Sequence, residues 1–75
     1  MAIERAEFLQ MCQRASTIKG DIPDDLKLKY NNIAYYPVAY ELSFVNGETK
    51  HTAILGDLTA KSVVYVDLER VDKYD

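Results

Sequence analysis

The stretch YPVAYELSFVNGETKHTAIL, residues 36–55, decides how the chain folds. At its centre, Asn46-Gly47 is the strongest short-range hairpin signal, because a type I′ turn needs positive φ at both central positions and these two residues accept it. Upstream, Tyr36, Val38, Tyr40, Leu42 and Phe44 form one apolar row against Pro37, Ala39, Glu41, Ser43 and Val45, the period-2 alternation of a half-buried strand. A two-residue turn pairs Val45 with Glu48, and counting outward sets Leu42 opposite His51, Tyr40 opposite Ala53 and Val38 opposite Leu55. A three-residue loop with Gly47 in a G1 bulge would move His51 to the other face, near Glu41. The first register is expected, since it brings Lys50 beside Ser43 and diagonally near Glu41.

Working upstream, LKLKY alternates Leu26, Leu28 and Tyr30 with Lys27 and Lys29, which reads as a strand. A competing reading starts a short helical turn at Pro23. Asn31-Asn32 tolerates positive φ and suits a second tight turn. That turn creates a parity conflict: the face of Leu28 continues into Ile33 and Tyr35, whereas the apolar row beyond Pro37 is even-numbered. An extra residue near Tyr35-Tyr36-Pro37 would bring both onto one face. Further upstream, Phe8, Met11, Cys12, Ala15 and Ile18 fall within an arc of about 120° on a helical wheel, which predicts an amphipathic helix over 3–17. Gly20 and Pro23 are its stop signals, near Lys19.

Downstream, Val64, Val66 and Leu68 alternate with Tyr65, Asp67 and Glu69 in a last strand. The expected architecture is α+β: an N-terminal helix packed on a three- to four-stranded antiparallel meander sheet, in two layers, as a single domain over 1–75. A domain of this size buries only about 60% of the surface its unfolded chain exposes. Cys12 is the sole cysteine, so no internal disulfide can compensate, and one His with one Cys cannot supply a four-ligand zinc site. Good packing or self-association must do so.

The N-terminal residues carry Glu4, Arg5 and Glu7 within their apolar pattern, unlike a secretory signal, and no apolar run approaches the ~20 residues of a membrane span. A cytoplasmic, non-membrane protein is expected. Nine Lys and Arg against 12 Asp and Glu give a net charge of −3 and no general attraction for phosphate backbones. The acidic end VDLERVDKYD gathers Asp67, Glu69, Asp72 and Asp75, but it has no calcium-loop spacing and reads as a solvated edge and tail. The three glycines lack phosphate-loop spacing.

Neither register of His51 supplies a neighbouring nucleophile or an orienting carboxylate, and Cys12 falls on the core arc of the helix. His51 therefore reads as an ordinary sheet residue, and no catalytic, metal or cofactor site is expected. The composition instead points to its six tyrosines. One helix covers only part of such a sheet, and Tyr35, Tyr36, Val63 and Tyr65 are the candidates for an uncovered aromatic patch. The expected function is a non-enzymatic protein-interaction module (adaptor, inhibitor or accessory subunit) whose partner is another protein or a second copy in a homodimer. The alternative is single-stranded nucleic-acid binding through the tyrosine face; the net charge and the absence of a sheet-reader motif weigh against it.

Overall fold

The computed structural model describes residues 3–59 and 61–74; Asp75 of the acidic end lies outside them. Helix α1 spans Arg5–Ala15, and five strands follow: β1 Leu28–Tyr30, β2 Ile33–Val45, β3 Glu48–Asp57, β4 Val63–Asp67 and β5 Asp72–Lys73. Single 3-10 turns lie at Asp24–Leu26 and Leu68–Arg70. All strand pairings are antiparallel, and one helix packs on one sheet in an α+β fold.

Helix α1 ends at Ala15, short of the expected Lys19, because two side chains take over its orphan carbonyls. Ser16 Oγ donates to the Gln13 carbonyl at 2.7 Å, and Thr17 Oγ1 to that of Arg14 at 2.8 Å. Such local bonds offer the backbone an alternative to further helix. Gly20 does adopt positive φ, at 131°, but within the connection rather than at the helix end. Both readings of residues 23–30 hold in part: the 3-10 turn begins after Pro23, and the strand follows from Leu28. Arg14 donates to Asp25 at 2.7 Å, tying the helix to that turn.

Asn31 and Asn32, at φ 52° and 62°, turn β1 into β2; Asn46 and Gly47, at 53° and 79°, turn β2 into β3. Both are two-residue hairpins, with Tyr30 paired to Ile33 and Val45 to Glu48. The expected pairs Leu42–His51 and Tyr40–Ala53 form. The expected Val38–Leu55 pair does not. Pro37 faces Leu55 and Ala39 faces Ile54, leaving Val38 as the extra residue of a bulge. This bulge resolves the parity conflict, placing Tyr35 and Pro37 on the same face as Tyr40, Leu42 and Phe44.

The sheet order β4-β3-β2-β1-β5 departs from the expected three- or four-strand meander. After β4, at one edge, the chain crosses to the opposite edge and adds β5 beside β1, pairing Leu28 with Lys73. Leu68 and Val71 on this crossing are buried, while Asp67 and Glu69 of the acidic end are exposed and Asp72 is half-buried on β5. The charges alternate with two apolar side chains that go inward. The crossing also ties the two ends of the described chain together: Ile3 N–H donates to the Val71 carbonyl at 3.0 Å, and Lys73 Nζ meets Glu7 at 2.6 Å.

The core lies between α1 and the sheet, where Phe8, Leu26, Leu28, Leu55 and Val71 are fully buried. Burial of each such side chain stabilises the fold by about 1.5–3 kcal/mol. An 11-residue helix is only about 16 Å long, whereas a 13-residue strand runs roughly 40 Å. The β2–β3 hairpin therefore overhangs the helix, and Phe44 on the overhang is 75% exposed. If the crossing is core rather than tail, Leu68→Ala should cost about 2–5 kcal/mol in urea unfolding. A change within about 0.5 kcal/mol would mark it as surface.

Candidate interaction surface on the uncovered sheet face

Cross-strand register assembles the face of the sheet opposite α1 in rows. Tyr36, Gly56 and Val63 form one row across β2, β3 and β4. Ala39, Ile54 and Tyr65 form the next, followed by Glu41, Thr52 and Asp67, then Ser43 and Lys50. The first two rows are apolar or aromatic, and the next carries two carboxylates. Glycine at 56 has a specific reason: the Tyr36 ring lies directly over it, where any Cβ would collide with the ring. The tyrosine is thereby laid flat along the sheet instead of standing up from it.

Of the four residues singled out from sequence, three share this surface. Tyr65 is 65% exposed and Val63 48%, while Tyr36 is half-buried over Gly56. Tyr35 is not with them. It pairs with Leu28, lies 6% exposed in the core beneath α1, and tilts against Tyr30 at a centroid distance of 6.4 Å. Ile54, half-buried between Ala39 and Tyr65, belongs to the patch and was not singled out. Its signal was available in the register, since Leu55 facing inward forces Ile54 outward.

His51 lies on the helix-side face of the overhang, opposite Leu42. The Tyr40 hydroxyl and the His51 Nδ1 are hydrogen-bonded to each other, and the two rings stack at 27° with centroids 5.9 Å apart. A shallow groove of about 570 Å³ runs beside it, lined by Thr49, Lys50, Asp67 and Glu69 among others. Cys12 packs half-buried against the core from α1. Burial pushes its thiol up from 9.0 to about 11, which keeps it protonated and unreactive at neutral pH. Among the described residues no three His, Cys, Asp or Glu side chains converge as a metal site would require. Among them, too, no helix is long and apolar enough to cross a membrane.

No protein-family model, curated protein or solved structure matches the chain.

The thiol offers a check on the packing of α1. At pH 8 a pKa near 11 rather than 9.0 leaves up to about 100-fold less thiolate than in the unfolded chain. Iodoacetamide should therefore label Cys12 up to about 100-fold more slowly in buffer than in denaturant, and equal rates would contradict the burial. The unfolded state gives up this proton first, so the contribution to stability is fully present below pH 9 and declines as pH rises toward 11.

Proposed function

We propose that the chain is a non-enzymatic, cytoplasmic protein-interaction module, an adaptor, inhibitor or accessory subunit that also self-associates, and that its partner seats on the uncovered face around Tyr65. One observation carries this reading: two adjoining apolar rows, Tyr36–Gly56–Val63 and Ala39–Ile54–Tyr65, in which Tyr65 is 65% and Val63 48% exposed. Tyrosine suits such a role because its ring contributes large apolar area with few rotatable bonds, and its hydroxyl stays hydrated until a partner arrives. The acidic row beside the patch, Glu41 and Asp67, favours a partner whose rim is basic. The same carboxylates, with the net charge of −3, would repel a phosphate backbone.

Affinity capture with wild type and Tyr65→Asp side by side tests the proposal, circular dichroism confirming that the variant folds. A partner enriched on wild type and reduced at least tenfold on the variant is the expected outcome, in line with the loss of a central aromatic anchor. Identical capture profiles would overturn it. Mixed-sequence oligonucleotides should not bind; binding that weakens steeply with salt would move the protein to the nucleic-acid class.

A further inference from the structure

We infer that a second copy of this chain pairs with the open edge of β2, antiparallel and centred on Leu42, joining two sheets into one. The inference rests on the self-association in the functional reading and names its surface. Strand β1 pairs only with residues 33–35 of β2, so residues 36–45 have no strand on that side among the described residues. In a ladder closed by a two-residue turn, Val45 bonds to β3, as do Ser43 and Glu41. The N–H and C=O groups of Phe44, Leu42 and Tyr40 then point to the open edge.

A two-fold axis normal to the sheet through Leu42 sets Leu42 against its own copy and Tyr40 against the copy's Phe44, each facing pair exchanging two backbone bonds. On the helix-side face this makes a continuous apolar row from side chains that are otherwise open to water, Phe44 at 75% and Leu42 at 46%. On the other face the same register puts the copy's Glu41 beside Ser43, with Lys50 on the far side of Ser43. Serine is small enough for the two long side chains to meet over it. Among the described residues, neither Glu41 nor Lys50 has an ion-pair partner. The two-fold repeats the Glu41–Lys50 pair, so both charges on each copy are matched. That complementarity singles out this chain itself as the occupant of the edge.

The axis leaves both helices on one side and both uncovered faces on the other. The proposed partner surface becomes one wider, two-fold surface.

Sedimentation of the full chain from about 1 µM to about 1 mM should show molar mass rising from one copy to two, as an interface at the small end of the size range implies. Leu42→Pro removes an outward N–H while leaving the bonds to β3 in place, and should hold the chain monomeric with its circular dichroism unchanged. Glu41→Lys should weaken the dimer about tenfold, and adding Lys50→Glu should restore it to within about threefold. A monomer throughout the range would overturn the inference. So would a dimer indifferent to Leu42→Pro and Glu41→Lys but abolished by Tyr65→Asp; that result leaves the functional reading standing, with the copy on the uncovered face. Conversely, a dimer broken at Leu42 alongside partner capture indifferent to Tyr65 would keep the edge pairing and remove the partner surface.

Discussion

A single extra residue, Val38, is the constraint on which both faces of this sheet depend. Strand β2 enters with Tyr35 and Pro37 facing the helix and leaves with Tyr40, Leu42 and Phe44 facing the same way. Without the bulge the strand would keep one parity, and α1 could cover the apolar residues of only one half. Pro37 fits immediately before the bulge because its position directs the missing N–H away from β3, toward a stretch where β1 no longer runs. Fully buried, it also serves as a core side chain. The bulge thus converts two mismatched apolar rows into one, and the opposite face inherits the Tyr36, Ile54 and Tyr65 rows by default.

The second constraint is size. A chain this short must draw stability from every segment, and here even the acidic C-terminal crossing contributes Leu68 and Val71 to the core. No polar or charged side chain is buried among the described residues. The core is therefore free of the specificity and the cost that buried charge brings. What remains is a geometric mismatch between a short helix and a long hairpin. It cannot be repaired within the fold, because α1 stops where Ser16 and Thr17 cap its carbonyls.

Much of this was legible in the sequence because it was written in local chemistry. Asn46-Gly47 and Asn31-Asn32 specify turns through their φ preference, and once the turns are set the register follows by counting. Even the bulge could be read, as the only way to reconcile odd and even apolar rows, although its position one residue past Pro37 could not. The helix end is less legible, because the hydroxyls of Ser16 and Thr17 end it ahead of the stop signal at Gly20. The fifth strand was illegible for a different reason. Two residues pairing with a partner more than 40 positions away leave no periodic trace, and Val71, unlike Leu68, falls outside the last alternating run. Tyr35 and Tyr36 share an identity but not a surface, because alternation sends neighbours to opposite faces.

The edges of the sheet show where the fold leaves a problem unsolved. Natural sheets blunt their edges with short strands, bulges, charges or covering elements. Here the two terminal strands are short, β4 at five residues and β5 at two. The proximal part of β2 is covered by β1 and carries the bulge. Its distal part, apart from the charge of Glu41, has none of these protections: it is extended, and Leu42 and Phe44 on one face are exposed. The one charge it carries, Glu41, projects from the face opposite Phe44, the face that also holds Lys50 of the adjoining strand. An edge protected against aggregation would set like charges against any incoming strand. In the pairing inferred above, a copy would instead bring opposite charges together across Ser43.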